Sequence, residues 1–174
     1  MKKETTKYFL LGIVTFFVVT LDQITKAVIE RTLSLHDTIT VIPGILSIWY
    51  VRNPGAAFGV MSNLPDSVRF FFLVGVSSIA MILIVYLFIQ GERGRTRYLL
   101  SLAFIFSGAI GNLIDRVLMG EVRDFIDLYI GIHHWPTFNL ADSAITIGLV
   151  FLAYEILVVE PRLERAARQK REKI

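Results

Sequence analysis

The chain has 174 residues, 54% of them hydrophobic, with 18 Lys and Arg against 15 Asp and Glu and no cysteine. At a mean hydropathy of +0.60, it carries more apolar side chain than one soluble core of this length buries, which points to an integral membrane protein. A net charge of +3 is too small for a nucleic-acid binder, and the lack of cysteine excludes a disulfide framework, a thiolate nucleophile and a cysteine metal site.

Crossing a bilayer takes about 20 apolar residues, and four segments approach that length: residues 8–29, 68–90, 98–114 and 140–159. The first follows basic residues, as a signal peptide would. It lacks a small-x-small cleavage signature and carries Asp22, Gln23 and Lys26 at its far end, so a retained helix is expected. The second span starts after the turn and cap Pro65-Asp66-Ser67, and the fourth is expected to stop before Pro161. Basic residues collect at Lys2, Lys3 and Lys7, at Arg93, Arg95 and Arg97, and in the tail at Arg162, Arg165, Arg168, Lys170, Arg171 and Lys173. The positive-inside tendency puts all three clusters, and both termini, in the cytoplasm. The connections 31–67 and 115–137 then face outward. They carry or flank nearly every unusual polar residue, and the chain has neither internal repeats nor low-complexity segments.

In the first outer connection, 38–42 and 45–51 flank Pro43-Gly44, are rich in β-branched and aromatic residues, and read as short strands. Trp49 and Tyr50 suit the lipid interface. Arg52-Asn53-Pro54-Gly55-Ala56-Ala57-Phe58-Gly59 follows, either a plain tight turn or a turn whose Asn53 amide holds an extended peptide. In the second outer connection, 120–132 alternates as a strand. Val122, Asp124, Ile126, Leu128 and Ile130 share one face, which makes Asp124 the only charge on it, with Arg123, Phe125, Asp127 and Tyr129 opposite.

Carboxylates at a lipid boundary are costly to desolvate. Asp124 and Asp142 are separated by one outer connection that returns on itself, so the chain can bring them together. Two such groups about 3 Å apart share one proton, which makes one a base and the other an acid toward a water attacking a peptide carbonyl. The alternative is that each is only a cap or loop carboxylate. Asn139 reads as the N-cap of the fourth span, so Asp142 gains the help of helix N-terminal amides and Asp124 is expected to hold the shared proton. Gly111-Asn112-Leu113-Ile114-Asp115-Arg116 closes the third span, with Asp115 and Arg116 expected to pair and orient the connection or to support the dyad. Gly108 and Gly111 permit close helix packing. Asp22 and Lys26, at i and i+4, are placed for a salt bridge. His133 and His134 are adjacent and poorly placed to converge on one ion, so neither metal nor cofactor is expected.

Taken together, these residues resemble bacterial lipoprotein signal peptidases (signal peptidase II, prolipoprotein signal peptidase). The resemblance covers essentially the whole chain. It rests on Leu21-Asp22-Gln23 with Lys26, Arg52 to Phe58, Gly111 to Arg116, Asp124-Phe125-Ile126-Asp127, and Phe138-Asn139-Leu140-Ala141-Asp142-Ser143. It implies a four-helix membrane bundle with a small extracytoplasmic β-sheet in the first outer connection and a short outer segment in the second. It also implies an aspartic endopeptidase of the inner membrane that cuts before the diacylglyceryl-modified Cys of prolipoproteins. The family's catalytic aspartates fall on Asp124 and Asp142. Its other motif positions fall on Asp22, Lys26, Asn53, Gly55, Asn112, Asp115, Arg116, Asn139 and Ala141, which would position substrate or support the dyad. Prolipoprotein substrates and membrane lipids are the expected partners of a monomer.

One departure is visible. Arg123 stands where the family commonly has a small or β-branched residue; on a strand it would point away from Asp124. If instead it reached the carboxylates, Arg123→Val would raise activity near neutral pH. Two other classes compete: a proton- or ion-coupled transporter, disfavoured by the absence of an inverted repeat and by polar groups gathered at one rim, and an assembly factor whose rim docks a partner.

Overall fold

The computed structural model describes residues 2–55, 65–91 and 95–171. Residues 56–59, Arg93 and Lys173, on which the sequence reading drew, lie outside the described residues. The elements in order are α1 (Lys2–Thr32), β1 (Thr38–Ile42), β2 (Leu46–Asn53), α2 (Asp66–Gln90), α3 (Thr96–Met119), β3 (Val122–Ile130), β4 (His133–His134), α4 (Leu140–Tyr154), a π-helical turn (Glu155–Val159) and α5 (Glu160–Arg171). Among the described residues, four helical stretches are long and apolar enough to cross a membrane: Thr6–Thr32, Asp66–Gln90, Thr96–Met119 and Leu140–Leu163.

Helix α3 is the centre of the bundle and contacts α1, α2 and α4. It buries ten residues, among them Ser101, Ala103, Ser107, Gly108, Gly111, Asn112 and Asp115, whereas α2 buries only Phe88. The difference follows from composition. Small residues let helix backbones close up where lipid gives no hydrophobic drive; a Cβ on Gly148 would stand 2.7 Å from the Ser101 carbonyl oxygen, and one on Gly111 2.6 Å from an Asp22 oxygen. Helix α2 instead turns Phe71, Ile79 and Ile82 outward, as a lipid-facing helix does. The apolar cluster Phe88, Leu99 and Leu102 closes the end of the bundle remote from the sheet.

Two boundaries differ from the sequence expectation. The third span does not end at Ile114 but runs to Met119, where Gly120 stops it in the left-handed region (φ +77°). Asp115 and Arg116 read as chain-ending polar residues, yet Asp115 is wholly buried with partners inside the bundle. Nor does the fourth span break before Pro161. The π-helical turn shifts the hydrogen-bond ladder, and Pro161 falls in the first turn of α5, where a missing N–H is tolerated.

The outer strands form one antiparallel sheet in the order β1-β2-β3-β4, so both outer connections build it rather than the first alone. Register pairs Val51 with Asp124 and Asn53 with Val122. The backbone N–H groups of Phe125 and Ile126 both donate to the Phe138 carbonyl, at 3.1 and 2.8 Å, which brings the start of α4 beside Asp124. Burial on β3 does not alternate as expected. Val122, Arg123, Asp124 and Phe125 are all buried and Leu128 and Ile130 exposed, because the first half of the strand lies against helix ends on both faces while its far half projects beyond them.

Candidate active site

Asp124 and Asp142 converge on Asn139. This residue caps α4 reciprocally: its side-chain oxygen accepts from Asp142 N at 3.0 Å, and its own backbone N–H donates to Asp142 Oδ2 at 3.1 Å. That is the capping box expected of an amide three residues before a carboxylate at a helix start. The Asn139 amide nitrogen meanwhile donates to Asp124 Oδ1 at 2.7 Å. One residue thus touches both carboxyl groups, Asp124 through its side chain and Asp142 through its backbone N–H. The remaining oxygens are also held by amides: Asn53 Nδ2 donates to Asp124 Oδ2 at 2.9 Å, and Asn112 Nδ2 to Asp142 Oδ1 at 2.7 Å. Asn112 Oδ1 accepts in turn from Asn139 Nδ2 at 3.0 Å and from Lys26 Nζ at 3.1 Å.

Burial, followed by the negative charge of Asp142, pushes the Asp124 carboxyl up to about 7, against the opposing hydrogen bonds from Asn53 and Asn139. A carboxyl in that range carries a proton for part of the time at neutral pH. Such a group is suited to acid–base work.

Beside this pair lies a second set of buried acids with cationic partners. Lys26 Nζ stands 2.8 Å from Asp22 Oδ2 and 3.3 Å from Asp115 Oδ2, with all three side chains buried. Asp22 Oδ1 accepts the backbone N–H of Ala141 at 3.0 Å, which ties α1 to the first turn of α4. Gln23 Nε2 donates to Asp115 Oδ1 and to the Gly111 carbonyl, both at 3.1 Å. Arg123 donates from Nη2 to Asp115 Oδ1 at 2.8 Å and from Nη1 to Glu30 Oε2 at 2.9 Å. Burial works to lower the Arg123 guanidinium, but its contacts with Asp115 and Glu30 carry it above the ordinary arginine value. Arg123 therefore points away from Asp124, as its strand position implies.

All the motif residues expected at the site gather at the sheet end of the bundle. Asn53 donates to Asp124, a supporting contact for that carboxyl, and its oxygen accepts the Gly55 N–H at 2.8 Å. Gly55 needs its missing side chain twice, for a φ of +103° and because a Cβ there would stand 1.9 Å from Leu73 Cδ1 on α2. Asp115 pairs as expected. Arg116 does not: its Nε is buried without a hydrogen-bond partner, while Asp142, Asp124 and Asp115 all act on its charge. His134 Nδ1 is engaged by Asp127 at 2.9 Å, and among the described residues no three His, Asp or Glu side chains are placed to share a metal ion.

The sequence reading missed Glu30 and the partners of Arg123. Glu30 had a signal available: Asp22, Lys26 and Glu30 recur every four residues on α1 and so share one stripe of the helix. That Arg123 would meet Glu30, Gln23 and Asp115 had no signal, because they come from α1 and α3, distant in the chain.

The family model for signal peptidase (SPase) II matches residues 14–158. The chain is similar to the lipoprotein signal peptidase of Geobacter metallireducens, 47% identical over 155 residues, which are 89% of this chain and 94% of that relative. It is also similar to that of Desulforapulum autotrophicum, 44% identical over 147 residues, 84% of this chain and 91% of the relative. A solved bacterial membrane enzyme superposes with a TM-score of 0.76 at 39% identity, over 84% of this chain and 87% of its own.

Proposed function

The chain belongs to the signal peptidase II family, and from that premise we propose that it is an aspartic endopeptidase which removes signal peptides from diacylglyceryl-modified prolipoproteins by cutting before the lipidated Cys. It is a multi-pass protein of the bacterial inner membrane. In this reading both termini are cytoplasmic and the sheet end faces outward, level with a scissile bond at the lipid–water boundary. Every proposed site residue comes from one chain, so a monomer suffices.

The carrying observation is that Asn139 hydrogen-bonds both carboxylates, to Asp124 Oδ1 at 2.7 Å and to Asp142 Oδ2 at 3.1 Å. Asp142 serves as the base: it takes a proton from water as the water oxygen attacks the scissile carbonyl. Asp124, raised to about 7, holds the complementary proton and delivers it to the carbonyl oxygen. Collapse of the tetrahedral diol breaks the C–N bond and hands a proton to the leaving amine of the lipidated Cys. The signal peptide then leaves with a new carboxyl terminus, and the pair returns to one shared proton. Neither a covalent intermediate nor a metal is needed.

The test is cleavage of a purified diacylglyceryl-modified prolipoprotein by protein in detergent. Asp124→Asn and Asp142→Asn should each lose activity by about 10³-fold or more, and wild-type cleavage should persist in a chelator. Activity surviving either substitution refutes the dyad.

A further inference from the structure

Arg123 immediately precedes Asp124, and its side chain is one of the few arginines of the chain turned into the protein, at 7% exposure. It reaches four places at once. Nη2 donates to Asp115 Oδ1 at 2.8 Å and to Gln23 Oε1 at 3.0 Å; Nε and the backbone N–H donate to Asp115 Oδ2 at 3.2 and 3.0 Å; Nη1 donates to Glu30 Oε2 at 2.9 Å. Its carbonyl oxygen accepts from Asn139 Nδ2 at 3.3 Å. One residue on β3 therefore grips α1, α3 and the cap of α4.

We infer that Arg123 is a positioning residue, which fixes β3 against the outer ends of α1 and α3 and so sets the place of the Asp124 carboxyl relative to Asp142. The inference rests on the proposed dyad. Its physical basis is a closed ladder of charge. Lys26 lies between Asp22 and Asp115, Arg123 between Asp115 and Glu30, and Arg52 on β2 pairs with Glu30 at 2.9 Å. Three cations meet three anions. Removing one member leaves an unbalanced charge in a largely buried row, the arrangement in which a lost partner matters most. Lysine is a poor substitute, since a single ammonium cannot serve both oxygens of Asp115 and also reach Glu30.

The ladder also acts on the proton of Asp124 through space. The charges bearing on Asp124 are Asp142 from α4, Lys26 from α1 and Arg116 from α3. Those facing Arg123 are Asp115 from α3 and Glu30 from α1. Without Arg123 the ladder carries a net −1, and Asp124 keeps its proton to higher pH. Without the Glu30 charge it carries a net +1, and Asp124 gives its proton up earlier.

The experiment compares wild type with R123K, R123V, E30Q and D124N, all purified in the same detergent, for kcat, KM and the alkaline limb of the kcat–pH profile. R123K should fold, with kcat about tenfold lower and KM within about twofold, as expected when a reacting group is misplaced and substrate binding is not. R123V should lose more and move the alkaline limb upward, whereas E30Q should lose about threefold and move it downward, each shift being about half a pH unit. Opposed shifts are a signature that a merely structural role would not produce. R123K with kcat within twofold of wild type overturns the inference, as does an alkaline limb that stays in place in E30Q. If R123V does not fold, R123K and E30Q decide the matter. Cleavage by D124N would instead overturn the dyad, whatever the Arg123 variants do.

Discussion

Two pairs of carboxylates lie side by side at the sheet end of the bundle, and their partners differ in kind. Asp22 and Asp115 have cations at 2.8 to 3.3 Å, from Lys26 and Arg123. Asp124 and Asp142 are held by amides: Asn53, Asn112, and the side chain and backbone of Asn139. A counterion offsets part of the cost of burying a carboxylate's charge. An amide satisfies the lone pairs without cancelling the charge, so the negative charge of Asp142 still acts on the Asp124 carboxyl. The first set serves to hold helices together, and the second keeps the reactivity that the proposed hydrolysis needs. Asn112 connects them, accepting from Lys26 and donating to Asp142.

The contrast is broken most severely at Lys26. Lys26→Met removes the cation shared by Asp22 and Asp115, and a buried pair that loses one partner is destabilised by about 3–5 kcal/mol. We expect little folded protein in detergent, read by size exclusion and thermal melting; a variant that melts like wild type would mean that these two acids do not need their counterion. Asn139→Ala strikes the other set. It deletes the cap of α4, which costs about 1 kcal/mol, and the amide that donates to Asp124, so kcat should fall between about 10- and 100-fold while the protein still folds. An equal loss of stability and no loss of kcat in the folded fraction would show that Asn139 is only a cap.

The smallest effect is the most diagnostic. The Asp124 carboxyl is raised from the model-peptide value of 3.8 to about 7, so between those values the folded state binds more protons there than the unfolded chain does. Its contribution to stability is full below the lower value and is lost as pH rises through the upper one. Melting temperature measured from pH 4 to 8 should therefore decline more steeply in wild type than in Asp124→Asn. Wild-type kcat should fall as the pH passes about 7, where the acid loses its proton. Parallel melting curves would place the shared proton on Asp142 instead.

Much of this was legible from the residues in order. Four apolar runs, a strand around Asp124 and the amide three residues before Asp142 each follow from local rules of length, composition and capping, and the fold and cap agree with them, although burial along that strand does not alternate. The salt bridge between Asp22 and Lys26 was equally local, one helical turn apart. The end of α3 was misjudged because Asp115 and Arg116 look like a polar stop when their partners are not in view. The partner of Asn53 was not legible either: an amide in a turn gives no sign that a carboxylate 71 residues later will accept from it.

The sequence by itself determined the four apolar spans and the carboxylates placed near their ends, since hydropathy and helix capping are properties of neighbours along the chain. Only the tertiary structure decided which acids receive cations and which receive amides. That choice depends on Arg123, Lys26, Asn112 and Asn53 meeting from different helices and strands, and in a low-dielectric interior the nearest partner governs where a charge or a proton can reside.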